Sequence, residues 1–332
     1  MDPQAATTTV PGSDRGLGQD LLALEPQFRE RVWGGQRLRA SKPPTGEAWV
    51  AYGESIVARG PLAGRKLADL ATENGPALLG SSVCGRYGHR FPLLAKILDC
   101  ADWLSVQVHP NDEQAGRLVE PGTFGKAEAW FFLEAAPEAR ILLGVRPGTT
   151  AAALKAAIRE GRVMEVAAEV SVRSCQAVLI PAGTLHAVGP GLLLYEIQQN
   201  SDITYRAYDW GRPQSSGRRL HIEEAVQVTT TEGPRELALP TVAGATGTAR
   251  AVECEHFELD LARVGATPLS LDTKGRSFHF LTAVEGPAVL ETAAESVTLQ
   301  RLETALVAGA TGAYSVRAAK GSATLLKASV PV

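Results

Sequence analysis

The chain has 332 residues, 45% of them apolar and 21% charged, and a formal net charge of −3 at pH 7. That length can bury a large core and predicts two domains. The near-neutral balance, without a basic block, argues against a nucleic-acid partner bound through its phosphates, and no apolar run approaches the roughly 20 residues of a membrane helix.

In chain order, Met1 to Gly18 is rich in Thr, Pro, Gly and Ala and lacks the basic start and apolar segment of a secretory signal. It is expected to be a disordered tail. Leu67 to Leu79 predicts one or two short helices. Short strand-like runs separated by Gly/Pro turns dominate the rest. Thr149 or Thr150 is a candidate cap for a helix running to Glu160, with Leu154 and Ile158 on one face and Gly161 ending it. A turn over Val163 to Val166 follows, and this helical segment is expected to be an excursion from the sheets. Ala177 to Ile180 reads as a strand, followed by a Pro/Gly turn and by His186 re-entering a strand. Leu220 to Val228 predicts another short helix. The Pro-, Gly-, Ala- and Thr-rich stretch from Pro234 to Ala249 reads as a boundary. Seven strands are expected beyond it, near 257–261, 278–284, 288–292, 296–299, 304–307, 313–318 and 322–328.

The pattern predicts an all-β protein of two jelly-roll (cupin) barrels, with a few short helices inserted in the first. Residues 19–240 form the expected catalytic domain, and 241–332 a smaller cupin-like domain without metal. The four cysteines, Cys84, Cys100, Cys175 and Cys254, have no CxxC spacing and read as reduced, buried thiols of a cytoplasmic protein.

The chemistry concentrates in Ser105-Val106-Gln107-Val108-His109-Pro110 and Lys126-Ala127-Glu128. Side chains alternate along a strand, so Ser105, Gln107 and His109 share one face, with Val106 and Val108 on the other. Lys126 and Glu128 repeat the pattern. With His186 downstream, the set offers one carboxylate and two imidazoles, which suit Zn²⁺ among borderline metals. Gln107 is a candidate neutral fourth ligand. Singly, each residue has a plainer reading: Lys126 as an ion-pair partner of Glu128, Arg206 as a surface arginine over aromatic rings, Arg212 as a solvated loop residue.

Several motifs resemble type I mannose-6-phosphate isomerase: Val32-Trp33-Gly34-Gly35, Gly46-Glu47-Ala48-Trp49, Phe91 to Asp99, Leu104 to Asp112, Lys126 to Trp130, Ile180 to His186 and Asn200 to Arg206. The resemblance covers roughly residues 24 to 230 and is to the shorter bacterial form. It implies one Zn²⁺ per chain on Gln107, His109, Glu128 and His186. It implies contacts of Ser105 and Lys126 with the sugar or its phosphate, Arg206 close to the reacting carbons, and Arg212 toward the phosphate, where the family commonly has lysine. Ala127 stands where many members have proline, and Asn111 where many have aspartate.

The implied reaction interconverts mannose 6-phosphate and fructose 6-phosphate through an enediolate. Its base is a metal-bound hydroxide, Glu196 or Asp202. Glu196 has the alternative role of orienting a ligand histidine. The rival expectations are a cupin isomerase for another sugar phosphate, a non-catalytic zinc and sugar-phosphate binding module, and an Fe²⁺-dependent oxidative cupin.

Overall fold

The structure, a computed structural model, describes residues 17, 20–213 and 218–332. The expected tail, residues 1–18, lies outside the described residues apart from Leu17. The chain is predominantly β. It runs through β1 (Leu21–Ala23), β2 (Gln27–Gly35), β3 (Thr45–Ala51), α1 (Leu67–Leu79), α2 (Ser81–Tyr87), β4 (Leu93–Cys100), β5 (Val106–Val108) and α3 (Asp112–Leu118). It continues through β6 (Glu128–Ala135), β7 (Arg140–Val145), α4 (Ala151–Arg159), β8 (Ala167–Ser171), β9 (Ala177–Ile180), β10 (His186–Val188), β11 (Leu192–Gln199), β12 (Tyr205–Tyr208) and α5 (Ile222–Val228). The last part holds β13 (Gly247–Glu253), β14 (Glu258–Val264), β15 (Leu269–Asp272), β16 (His279–Glu285), β17 (Ala288–Glu291), β18 (Ser296–Leu299), β19 (Thr304–Val307), β20 (Ala313–Ala318) and β21 (Ala323–Ser329).

Four sheets carry these strands. A six-stranded sheet, β2-β3-β4-β11-β6-β9, and a five-stranded sheet, β12-β5-β10-β7-β8, make the first lobe. They share a core that includes Leu98, Phe132, Leu143, Val188 and Leu194. A six-stranded sheet, β1-β19-β16-β21-β14-β13, and a four-stranded sheet, β15-β20-β17-β18, make the second, around Ala262, Leu281, Leu290 and Val316. Ile97, Phe131 and Tyr195 of the first lobe join Phe280, Leu306 and Leu326 of the second in one further core, with Leu70 and Leu78 of α1. Each fully buried large apolar side chain there contributes about 1.5–3 kcal/mol, so the lobes are joined by core rather than by a wet contact. On the outer side of the five-stranded sheet, Leu154 and Ile158 of α4 and Val226 of α5 pack over Val106, Val108 and Ala187.

Strand β11 shows how sequence places the site. Leu193, Tyr195 and Ile197 enter the core between the lobes, while Leu192 and Leu194 enter the core of the first lobe. By the same alternation Glu196 and Gln198 continue the inner face of the first lobe, where apolar residues would otherwise close the core. β4 supplies the facing residue, because Glu196 is paired with Lys96 in register.

Several expectations are refined. Gly75 leaves helical φ/ψ and Pro76 follows it, so Leu67 to Leu79 is two helical pieces. Thr150 caps α4 by accepting from the Ala153 N–H at 3.2 Å. α3 was not anticipated, although Asn111 and Gln114 form a reciprocal capping box. β13 extends through part of the expected boundary, β15 adds a strand, and β1 crosses to pair with β19. The cysteines are not uniformly buried: Cys100 is, Cys84 and Cys254 are half-buried, and Cys175 is exposed in a turn with φ 66°. Among the described residues, no helix is long and apolar enough to cross a membrane.

Candidate metal centre and its cavity

Three strand ends build the centre. Glu128 opens β6, His186 opens β10 directly opposite Gln107 of β5, and His109 lies just past the end of β5. The ligand atoms of His109, Glu128 and His186 all lie within 4.8 Å of one another, and all three residues are buried. Glu128 Oε1 is 3.3 Å from His186 Nε2, and its Oε2 is 3.4 Å from His109 Nε2.

Both imidazoles are oriented from behind. His109 Nδ1 lies 2.7 Å from the Ile203 carbonyl and His186 Nδ1 lies 2.9 Å from the Thr184 carbonyl. A carbonyl can only accept, so each Nδ1 carries the proton and each Nε2 keeps a lone pair; the Lys126 ammonium lies 3.0 Å from that of His109. Gly183, with φ +85°, makes the tight turn before His186. Gln107 Nε2 is placed 3.3 Å from His186 Nε2. The amide oxygen and nitrogen can exchange places by a flip, so the same position offers a neutral oxygen to a cation.

The charge state suits a cation. Burial, and next the Lys126 ammonium, push His109 down to about 3, and burial lowers His186. Both rings are therefore neutral at pH 7. Burial alone would raise the Glu128 carboxyl, but Lys126 and the two histidines outweigh it and hold the group well below the usual carboxylate range. Neither Glu128 oxygen has a hydrogen-bond partner of acceptable geometry, although the Lys126 ammonium lies 3.0 Å from Oε2. The Lys126 ammonium compensates the Oε2 side of the buried carboxylate, while Oε1 has no donor and faces the His186 ring; a divalent cation among the three ligands would satisfy it. The donor set therefore fits Zn²⁺.

A cavity of about 450 Å³ opens beside this cluster. Of the residues expected from sequence, Ser105, Gln107, Lys126, Glu196, Asp202 and Arg206 line it. Glu196 is buried in its wall; Oε1 pairs with Lys96 Nζ at 3.0 Å and Oε2 accepts from Trp130 Nε1 at 3.0 Å. Trp130 in turn sets its ring edge-on to His186, with centroids 5.5 Å apart. Asp202 is exposed at the mouth. Arg206 is paired in register with Gln107, and its buried Nε has no partner. Burial, then the nearby Arg218 charge, lowers its pKa.

Arg212 is not brought to the cavity. Asp102 at 2.6 Å, Asp209 at 3.1 Å and the Trp103 carbonyl at 2.8 Å hold its guanidinium elsewhere. The expectation that Arg212 reaches toward the phosphate finds no support in this placement. Sequence reasoning also missed several lining residues: Lys96, Glu47, Arg31, Arg218 and His221. Glu47 takes Arg31 through both oxygens, at 2.9 and 3.1 Å, and Trp49 Nε1 at 2.7 Å. Burial opposes the Lys96 charge, but Glu196, Glu47, Asp202 and Glu128 outweigh it and raise its pKa. Glu47 and Lys96 fall within motifs visible in the sequence; their meeting depends on pairing β3 with β4 and β4 with β11.

Residues 21–126 match the model of the phosphomannose isomerase type I catalytic domain. The chain is 41% identical over 221 residues to a protein of Bacillus subtilis described as probable mannose-6-phosphate isomerase GmuF, spanning 63% of this chain and 68% of that one. Among solved structures, a mannose 6-phosphate isomerase from Bacillus subtilis superposes with a TM-score of 0.82 at 29% identity, covering 93% of this chain and 99% of the other. A zinc-bound mannose 6-phosphate isomerase structure matches with a TM-score of 0.73 at 20% identity, over 94% of this chain and 100% of the other, a likeness of fold.

Proposed function

Because the chain belongs to the type I mannose-6-phosphate isomerase family, we propose that it interconverts D-mannose 6-phosphate and D-fructose 6-phosphate, with one Zn²⁺ per chain held by Gln107, His109, Glu128 and His186. The observation that carries this reading is the convergence of two imidazoles on one buried carboxylate, beside a polar cavity. The zinc-bound relative of the same fold supports the choice of metal. We further read residues 19–240 as a catalytic cupin barrel and 241–332 as a second, metal-free one. A cytoplasmic location fits a charged sugar phosphate, which does not cross a bilayer unaided.

The reaction moves a proton between C1 and C2 of the open-chain sugar. Bound zinc would supply a Lewis acid for the sugar's oxygens. This chain's own groups do the rest. Arg206, with a buried unpartnered N–H, donates to the oxygen on which negative charge develops, in a site where a fixed donor needs no reorganisation. Ser105 and Lys126 orient the sugar beside the ligands. A carboxylate carries the proton: Glu196, fixed in the wall by Lys96 and Trp130, is the assignment that the burial favours, and exposed Asp202 at the mouth is its rival.

Arg206→Ala tests the assignment against the non-catalytic binding module. Turnover falls by about 10²–10³-fold, the usual loss on removing such a donor, while zinc content and mannose 6-phosphate binding by calorimetry stay near wild type. Equal loss of binding and turnover overturns the catalytic role.

A further inference from the structure

Beyond the mouth of the catalytic cavity lies a groove that contains none of the metal ligands. Two cavities, of about 420 and 460 Å³, share Arg90, Phe124, Asn200, Ser201 and Asp202 in their linings and so form one groove. Each is within the roughly 300–1,000 Å³ of small-molecule sites. Asp202 also lines the catalytic cavity, which places one end of the groove at its mouth. Trp49 forms a partition. Its ring lines the groove, its Nε1 donates to Glu47 at 2.7 Å, and Lys96 Nζ lies 5.1 Å from its centroid. Glu47 and Lys96 both belong to the catalytic wall.

The groove carries an unused cation. The Arg90 guanidinium lies over the Phe124 ring, 4.1 Å from its centroid. Stacking occupies the face of a guanidinium and leaves its in-plane N–H edge for an acceptor. Among the described residues that edge meets neither a carboxylate nor a carbonyl. The other open polar groups are acceptors. Asn200 gives its Nδ2 to the Phe91 carbonyl at 2.9 Å, which leaves its Oδ1 open. Asp202 is exposed and has neither a hydrogen bond nor an ion pair among the described residues. Glu54, by contrast, is held by Lys66 at 2.8 Å. Trp49, Tyr52, Phe91 and Phe124 make the apolar wall, with Tyr52 edge-on to Trp49 at 5.1 Å.

Each feature selects one part of a ligand. An unpaired guanidinium edge calls for an oxyanion. An open carboxylate and an open amide oxygen call for hydroxyl donors. Aromatic faces, negative at the ring, suit the C–H face of a saturated ring. A sugar that carries a phosphate or a carboxylate has all three. We propose that this groove is a second ligand site, separate from the catalytic cavity, that takes an anionic sugar. Arg90, seated on Phe124, holds the phosphate or carboxylate, Asn200 and Asp202 accept from the hydroxyls, and the aromatic wall receives the ring. Because Asp202 is common to groove and cavity, the occupant lies at the entrance to the catalytic site.

The test titrates zinc-loaded wild type, Arg90→Ala and Phe124→Leu with glucose 6-phosphate, glucuronate, inorganic phosphate and glucose in a calorimeter. Wild type binds glucose 6-phosphate with a component of one molecule per chain. Arg90→Ala weakens that component about tenfold, the low end for a hydrogen bond to a charged group. Arg90 is exposed and unpaired, so this variant keeps the wild-type melting temperature and kcat. Phe124→Leu removes the platform under the guanidinium and weakens the same component. Binding of glucose 6-phosphate alone, or of glucuronate as well, supports the site and decides which oxyanion it takes. Glucose binding as tightly as glucose 6-phosphate removes the anion contact, and inorganic phosphate binding as tightly removes the sugar contact; either overturns the proposal. So does an Arg90→Ala protein in which every component stays within twofold of wild type. Arg90-dependent binding in a wild type that leaves mannose 6-phosphate unchanged would overturn the reaction assigned to the metal centre and leave this site standing.

Discussion

Replacing Lys96 by methionine removes the cation facing Glu196, Glu47, Asp202 and Glu128 while keeping most of the side chain's volume. Its Nζ lies 3.0 Å from Glu196 Oε1 and 2.6 Å from Gln198 Oε1, and the Lys96 and Glu196 side chains are each only 5% exposed. Solvent reaches the freed carboxylate only through the cavity it lines, and of its protein donors it keeps the Trp130 N–H. Removing one partner of such a pair costs about 3–5 kcal/mol, because the other is left buried and unpaired. At about 2–4 °C per kcal/mol for domains of some 150–250 residues, the melting midpoint falls by about 6–20 °C. Replacing both partners removes the stranded charge as well, so Lys96→Met with Glu196→Leu melts above the single variant. Differential scanning calorimetry of the zinc-loaded proteins checks both statements. A single variant melting within 2 °C of wild type, or a double variant no more stable than the single, refutes the argument that this pair is held by mutual burial.

Other expectations follow from separate parts of the molecule. Glu128→Gln keeps the shape of the centre but removes its anion, so zinc affinity falls by more than the roughly 10–100-fold typical of a lost outer-shell contact, measured by competition with a chromophoric chelator. Gly80 joins α1 to α2 with φ +92°, and a Cβ there would meet the Arg276 carbonyl oxygen at 2.4 Å; Gly80→Ala therefore destabilises by about 1–3 kcal/mol or more, read from denaturant unfolding. Burial, then Lys327, pushes His279 from 6.5 down to about 3. The unfolded chain takes a proton near pH 6.5 that the folded ring refuses until about pH 3. This contribution is complete above pH 6.5 and is lost as the pH falls through that window, by at most about 1.4 kcal/mol per pH unit. His279→Gln, with its own midpoint measured from pH 7 to 4, shows a shallower slope.

The cluster of candidate ligands was legible because it depends on local alternation: Gln107 and His109 share a face, Val106 and Val108 pack outward against the helices, and Lys126 and Glu128 meet them on the next strand. The motif before His186 specified a turn whose glycine has positive φ. What local pattern cannot contain is pairing. Lys96 and Glu196 are a hundred residues apart and meet only because β4 and β11 are neighbours in a given register. Arg212 was placed at the cavity by its position in a motif, whereas its donors go to Asp102, Asp209 and the Trp103 carbonyl. β1 escaped notice as part of the second lobe for the same reason: three apolar residues near the start of the chain reveal a strand but not that its partner is β19. The capping box of α3 was readable and overlooked; Asn111 and Gln114 stand at the required spacing.

The central claim is that the buried His109, Glu128 and His186 cluster holds a zinc ion needed to isomerise mannose 6-phosphate. It is tested most directly by following fructose 6-phosphate formation with purified protein as isolated, after chelation, and after zinc is restored. The account predicts activity that is lost on chelation and recovered with one zinc per chain. Turnover that persists in protein shown to be metal-free, or folded zinc-loaded protein that leaves mannose 6-phosphate unchanged, would contradict it.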